Sequence, residues 1–174
     1  MNTDIYCFKV GDFKCIAVND GNFTYAPPLI PLPATFLFAN APKEQLNQVL
    51  REHGIQPEHW ISFVSPFTCV MVNTCRHKVL VDTGLGGLDP NTGRLLSNLR
   101  AVGIGPGDID TVILTHGHDD HVGGNTDAQG NPTFPKARYN MWKEEWTFWT
   151  SGAEKLYENE DFAFTRKNLL PIQH

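Results

Sequence analysis

The chain carries a dense group of side chains that bind metal ions in other proteins, in the segment Thr115-His116-Gly117-His118-Asp119-Asp120-His121. Three histidines and a carboxylate fall within six residues, directly after an apolar stretch. Imidazole nitrogens and carboxylate oxygens are ligands that first-row divalent metals bind. A lone histidine is usually an ordinary surface residue, but this combination at this spacing favours a metal site.

The spacing predicts positions for two metal ions. His116 and His118 are two residues apart, so in an extended segment they point to the same side and reach one ion. Asp120 and His121 follow in a predicted tight turn, which directs them toward a second ion. Paired ions of this kind lie roughly 3.5–4 Å apart and share a bridging oxygen. Asp120 is also the predicted catalytic residue, because its carboxylate can orient the attacking hydroxide and accept a proton.

Another acidic residue, Asp82, follows the apolar segment 78–81 and precedes Thr83-Gly84. At the end of a strand, its carboxylate is placed to hydrogen-bond a ligating histidine and orient the ring behind the metal. The other interpretation is an Asx turn that ends the strand, which the following glycines suit equally. Three further histidines, at positions 53, 59 and 77, lie far from any ligand spacing and are predicted to be surface residues.

Apolar periodicity predicts the elements that position these residues. Strands are predicted over residues 5–10, 13–18, 67–72, 78–82, 111–115 and 138–140, and helices over 42–53, 91–102, from about 142, and over 161–170. The first two strands form a hairpin through Gly11-Asp12. Strands of both hairpin and crossover type imply an α+β or mixed α/β layered domain.

Residues 22–60 contain a proline-rich stretch that is predicted to be ordered. Five prolines lie within residues 26–42, which argues against a regular helix or a central strand there. The interleaved apolar residues are too numerous for a free linker. We therefore predict an ordered arm and helix over residues 22–60, within a single domain that spans residues 1–174.

Composition narrows the classes of partner. The formal net charge is −5 and no basic run is present, so nucleic acid is not an expected partner. No stretch approaches the length of an apolar membrane span, and a cytoplasmic protein is expected. The hairpin register places Cys7 opposite Ile16 and Cys15 opposite Phe8, so these two thiols point to opposite faces and should not be bonded.

Residues 80–84, 95–104 and 112–124, which include H-x-H-x-D-H, resemble the metallo-β-lactamase superfamily. The closest likeness is to the branch that holds N-acyl-homoserine lactonases and methyl-parathion-hydrolase-like enzymes. The resemblance implies an αββα sandwich with a dinuclear site at one edge of two facing sheets, of which this chain would hold the N-terminal half to two-thirds. It implies two divalent ions, zinc first and iron, manganese or cobalt as alternatives. His116 and His118 would serve the first ion, and Asp120 and His121 the second.

The resemblance also implies a function. The expected activity is that of a metal-dependent hydrolase, in which metal-bound hydroxide attacks a lactone or ester of a small, partly apolar molecule. An organophosphate triester hydrolase is one alternative. Because the family completes its site with ligands beyond the position of residue 174, the domain is expected to be incomplete at its C-terminus. The other alternative is therefore an inactive fragment or subunit, and the expected partner is a second copy in a homodimer or a separate C-terminal chain.

A group of tryptophans lies after the histidine segment, at positions 142, 146 and 149. Their spacing predicts one face of a helix. Packing of that face in the core is the favoured interpretation, and the wall of an apolar substrate pocket is the alternative.

Overall fold

The computed structural model describes residues 4–151 and 160–173. The chain contains a six-stranded sheet and several helices. The strands lie in the order of the chain: β1 Ile5–Val10, β2 Phe13–Tyr25, β3 Phe63–Asn73, β4 Lys78–Val81, β5 Thr111–Leu114 and β6 Arg138–Met141. The pairs β1–β2 and β3–β4 are antiparallel, whereas β4–β5 and β5–β6 are parallel. The predicted mixed α/β class is confirmed.

The helices are α1 Pro33–Leu37, α2 Lys43–Glu52, α3 Leu95–Ala101, α4 Asp119–Val122, α5 Lys143–Thr150 and α6 Glu160–Leu169. Short 3₁₀ turns occupy Gly86–Leu88, Pro106–Asp108 and Leu170–Ile172. Each predicted helix is present within a few residues of its predicted bounds, apart from the first part of the helix predicted over 91–102. None of the described helices is long and apolar enough to cross a membrane.

The hairpin of β1 and β2 has the predicted register. Cys7 is paired with Ile16 and Phe8 with Cys15, because the Gly11-Asp12 turn fixes the pairing and side chains alternate between faces. Cys7 and Cys15 are free, as predicted, and so are Cys69 and Cys75.

Two predicted bounds were wrong: the end of the second strand, at Asn19-Asp20-Gly21, and the start of the helix predicted from residue 91. Asn19-Asp20-Gly21 indicated the end of a strand, yet β2 continues to Tyr25. The helix predicted from residue 91 begins only at Leu95. The later start of α3 involves Asp20, whose carboxylate accepts hydrogen bonds from backbone N–H groups of the segment 85–95. This long-range contact holds residues before α3 in a turn.

The chain forms two compact units, Met1–Gly21 with Pro66–His174, and Asn22–Ser65. The predicted arm and helix of residues 22–60 lie in the second unit. It contains a group of stacked rings, in which the centroids of Tyr25 and Phe63 are 5.0 Å apart. The proline-rich stretch does contain one short helix, α1, contrary to prediction, because Pro33 lies in its first turn, where no helical N–H is required.

The core of the first unit lies against one face of the sheet. Along β5, Val112 and Leu114 are buried, whereas Ile113 between them is 42% exposed, as expected for alternating side chains. Leu99 of α3 and Leu169 of α6 belong to the same buried cluster. The core therefore anchors β5, and the histidine segment begins directly after this strand.

The tryptophans divide between core and surface. Trp149 is buried, and Trp146 packs against the core, so the core interpretation holds for these two. Trp142 is 71% exposed and precedes the first residue of α5, which the helical spacing did not predict.

Asp110 joins the beginnings of β4 and β5. It accepts hydrogen bonds from the Lys78 N–H at 2.8 Å and the Thr111 hydroxyl at 3.0 Å, and its Oδ1 lies 3.2 Å from His77 Nδ1. Slight burial raises the pKa of Asp110, but these bonds and the charge of His77 outweigh it, so that the pKa lies below its ordinary value of 3.8.

The substitution Asp110→Asn should destabilise the chain in a pH-dependent way. A lowered folded-state pKa contributes stability above the ordinary value of 3.8, and this contribution is lost as the pH falls through the lowered value. Urea unfolding should therefore give a lower midpoint for the variant at pH 7, and the difference should shrink in acid. A difference that is constant from pH 7 to below 3 would contradict the assigned ionisation.

Candidate metal centre

The histidine segment begins at the carboxyl end of β5, where functional loops gather in sheets with parallel strands. Thr115 to His118 form a loop, and α4 begins at Asp119. The His118 carbonyl accepts hydrogen bonds from the N–H groups of His121 and Val122. The tight turn predicted for Asp120 and His121 is thus one turn of helix.

The first pair of candidate ligands is His116 and His118. His116 Nε2 lies 3.1 Å from His118 Nδ1. The Thr115 hydroxyl lies 3.1 Å from the other ring nitrogen of His116, Nδ1. A proton on His116 Nδ1, donated to Thr115, leaves the lone pair of Nε2 directed toward His118.

The second pair of candidate ligands is Asp120 and His121. Asp82 contacts the His121 ring. His121 Nδ1 lies 2.8 Å from Asp82 Oδ2, and His121 Nε2 lies 3.6 Å from Asp120 Oδ1. The Thr115 hydroxyl is within 3.1 Å of both Asp82 oxygens. Asp82 therefore occupies the Nδ1 side of the His121 ring and leaves Nε2 facing the Asp120 carboxylate.

Backbone geometry brings Asp82 into this position. Its φ is +59°, in the left-handed region that aspartate tolerates better than most residues. The Thr115 N–H donates to Asp82 Oδ1 at 2.8 Å, so one carboxylate joins the ends of β4 and β5. The histidine contact predicted for Asp82 is present, and the Asx-turn alternative does not account for it.

Hydrogen bonds set the ionisation of these residues. Burial raises the pKa of Asp82, but bonds from His121 and Thr115 outweigh it and hold the pKa below its ordinary value. Burial lowers the pKa of His121, yet the Asp82 bond and the charge of Asp120 raise it overall. The pKa of His116 is lowered by burial and by the neighbouring charges of His121 and His118, which favours the neutral imidazole that a metal requires.

The spacing of both pairs fits one metal ion each. Donor atoms at about 2.0–2.2 Å from a tetrahedral ion lie about 3.3–3.6 Å apart, close to the 3.1 Å and 3.6 Å observed. Within residues 4–151 and 160–173, no group of three or more His, Cys, Asp or Glu side chains is arranged to hold an ion. The described residues thus contain pairs of candidate ligands.

Three other histidines lie on the surface, as predicted: positions 53, 59 and 77 are exposed. Asp119 is half-buried, and its Oδ1 accepts a hydrogen bond from the Asp120 N–H at 2.8 Å.

Thr83 and Asn125 hold the backbone of His121 from the other side. The Thr83 N–H donates to the His121 carbonyl at 2.9 Å, and the Thr83 hydroxyl lies 3.1 Å from both this carbonyl and the Asn125 side-chain amide. One hydroxyl donates only one hydrogen. If the oxygen and nitrogen of the Asn125 amide are exchanged, the buried Nδ2 donates to the Thr83 hydroxyl, and this hydroxyl donates to the His121 carbonyl. The exchange gives Asn125 Nδ2 the hydrogen-bond partner that it otherwise lacks.

Asp20 fixes the loop between Asp82 and α3, and sequence reasoning missed it. Its Oδ2 accepts N–H groups of Leu85, Gly86 and Gly93 at 3.0–3.2 Å, and Oδ1 accepts the Leu95 N–H at 2.9 Å. Burial raises the pKa of Asp20, although these four bonds oppose the change.

The same loop packs tightly against the end of α4. A Cβ on Gly86 or Gly123 would collide with the backbone of the facing segment. Asp20 therefore secures the loop on which the backbone after His121 rests. The sequence signal was an aspartate before a glycine, which indicated only a turn.

Comparison with known proteins assigns the family. The sequence profile described as the metallo-beta-lactamase superfamily matches residues 65–167, which is more than half of the chain. The chain belongs to the metallo-β-lactamase superfamily. The match includes both Asp82 and the complete histidine segment.

Several solved structures have a fold similar to that of this chain. AidC, a dizinc quorum-quenching lactonase solved with a product, is 25% identical, with a TM-score of 0.77 over 97% of this chain and 58% of its own. The hydrolase AbOPH is also 25% identical, with a TM-score of 0.77 over 99% of this chain and 59% of its own. A probable metal-dependent hydrolase from Staphylococcus aureus is 21% identical, with a TM-score of 0.70 over 92% of this chain and 56% of its own.

The likeness to the lactonase-like branch is as predicted. This chain spans 58% and 59% of the lengths of AidC and AbOPH, which agrees with the predicted half to two-thirds of the metallo-β-lactamase fold.

Replacing Asp20 should destabilise the protein. In Asp20→Asn an amide NH₂ faces buried N–H groups, and unmatched buried donors cost about 1–3 kcal/mol. The free energy of unfolding, measured with urea at pH 7, should fall by about this amount. Asp12→Asn, at an exposed hairpin position, is the matched control. Equal stability of the two variants would contradict the role assigned to Asp20.

Proposed function

We propose that this chain forms the metal-binding part of a hydrolase that opens a lactone, or cleaves a related ester, of a small and partly apolar molecule. The observation that carries this proposal is the pair of imidazole nitrogens 3.1 Å apart on His116 and His118, beside the Asp120–His121 pair. The likeness to AidC, a dizinc lactonase, supports a lactone as the substrate.

The residues that would hold the ions are those predicted from the spacing. His116 Nε2 and His118 Nδ1 would bind one divalent ion, and Asp120 Oδ1 and His121 Nε2 a second, with zinc as the first choice. Such ions supply Lewis acidity and make a water nucleophile available at neutral pH. The remaining ligands would come from outside these two pairs.

The chain's own residues would prepare this chemistry. Asp82 accepts a hydrogen bond from His121 Nδ1–H. This bond fixes the orientation of the ring and leaves Nε2 available to bind a metal ion. Thr115 performs the same task for His116. Asp120, whose carboxylate lies beside His121 Nε2, would accept a proton from the attacking water and orient it toward the substrate carbonyl. The predicted homodimer or complementary C-terminal chain, and the cytoplasmic location, stay predictions.

Metal binding provides the direct test of the site. In titrations of the metal-free protein with zinc, His116→Ala should abolish binding at one of two positions. Asp82→Asn should weaken binding by about 10–100-fold, because an outer hydrogen-bond partner of a ligating histidine is lost. Asp12→Asn should bind zinc as the unmodified protein does. Unchanged metal content and affinity in His116→Ala would refute the assigned ligands.

Hydrolysis tests the substrate class. The natural protein, loaded with zinc, should hydrolyse N-acyl lactones in preference to phosphotriesters, and Asp120→Asn should reduce the rate by at least about 100-fold, as expected for loss of an acid–base group. Preference for the phosphotriesters would replace the lactonase proposal with the alternative hydrolase. A chain that binds no metal and hydrolyses neither class would favour the inactive subunit.

A further inference from the structure

The residue between the first two candidate ligands, Gly117, is held on every side. It is buried, although the histidines that flank it are not. A Cβ at this position would collide with the indole ring of Trp149. Glycine is therefore required here because an aromatic side chain lies directly on its Cα.

Both peptide groups next to Gly117 form hydrogen bonds with side chains of helices that lie further along the sequence. Its N–H, in the peptide that joins it to His116, donates to Glu145 Oε2 of α5 at 3.0 Å. Its carbonyl, in the peptide that joins it to His118, accepts from the Thr165 hydroxyl of α6 at 2.7 Å. Thr165 is fully buried. The two peptide planes between the candidate ligands are thus fixed independently.

Trp149 links these two supports. Its Nε1–H donates to the same Glu145 oxygen at 2.9 Å, one helical turn away. Its ring lies edge-on to the His118 ring, with centroids 5.7 Å apart, and packs against Phe162 of α6 at 4.5 Å. The contacts of Gly117 therefore connect α5, α6 and the His118 side chain.

We propose that Glu145 and Thr165 are positioning residues that set the affinity of the His116–His118 pair for a metal ion, an inference that rests on the proposed function. The directions of the two imidazoles depend on the backbone torsions on either side of Gly117. Hydrogen bonds to both adjacent peptides hold these torsions, so that His116 Nε2 and His118 Nδ1 face each other before an ion binds. Neither residue touches an ion or the substrate.

The test compares disruptive with conservative substitutions. Glu145→Ala and Thr165→Val should each weaken zinc binding at the His116–His118 position by about 10–100-fold, the range for outer partners of metal ligands. Glu145→Gln and Thr165→Ser keep an acceptor and a hydroxyl respectively, and should stay within about threefold of the unmodified protein. Glu144→Ala and Thr147→Val, at exposed positions of α5, are matched controls and should bind as the unmodified protein does.

Three measurements on the unmodified protein and each variant distinguish an effect on ligand positioning from a loss of overall stability. They are the zinc affinity by chelator competition, the visible absorption of bound Co²⁺, and the free energy of unfolding in excess chelator. Weaker binding with an altered Co²⁺ spectrum, in variants that remain folded without metal, is the expected result. Zinc affinity equal to that of the controls, whatever the stability, would overturn the inference. If Glu145→Ala does not fold, Thr165→Val decides, because it exchanges a hydroxyl for a methyl group of similar size.

The outcomes also separate this inference from the proposed function. An unmodified protein that binds no zinc would remove the proposed function and the inference together. An unmodified protein that binds zinc, with Glu145→Ala and Thr165→Val unaffected, would overturn the positioning role alone.

Discussion

The carboxylate of Asp82 is the contact on which the arrangement of the metal centre depends. It receives hydrogen bonds from the Thr115 N–H and hydroxyl and lies 2.8 Å from His121 Nδ1. Thr115 directly follows β5 and His121 lies in α4, whereas Asp82 directly follows β4. A single side chain thus joins two strands and one helix, at the only edge of the sheet where the candidate ligands of the described residues meet.

Two buried aspartates in this region are stabilised in different ways. Asp20 is surrounded by neutral N–H groups, which do not fully offset its burial, and its pKa is raised. Asp82 faces an imidazole that can carry a positive charge, and its pKa is lowered. The cost of removing the carboxylate from water is therefore offset by backbone N–H groups at Asp20, and at Asp82 mainly by hydrogen bonds from His121 and Thr115.

Local patterns predicted the elements and the candidate ligands, because both are short-range properties of the chain. The Gly11-Asp12 turn determined the β1–β2 register, and alternation of apolar residues identified β5. Apart from Asp82, the residues that support the candidate ligands were not predictable in this way. Leu95 is 75 residues from Asp20, and Thr165 is 48 residues from Gly117. Neither pair has a local signal, since an aspartate before a glycine or a threonine in a helix has many ordinary explanations.

The contrast between local ligands and distant supports affects how metal binding is linked to folding. His116, His118, Asp120 and His121 stay within a few residues of one another even in the unfolded chain, where they form a flexible chelating segment. Metal that binds the unfolded chain reduces the stabilisation that binding confers on the folded state. On the proposed function, the folded protein binds metal more tightly in part because residues far along the sequence order these side chains. Metal that is present during synthesis would accordingly meet the candidate ligand segment before Glu145 and Thr165, which follow it in the chain, have been made. The loose complex would become ordered as the sheet and α6 assemble.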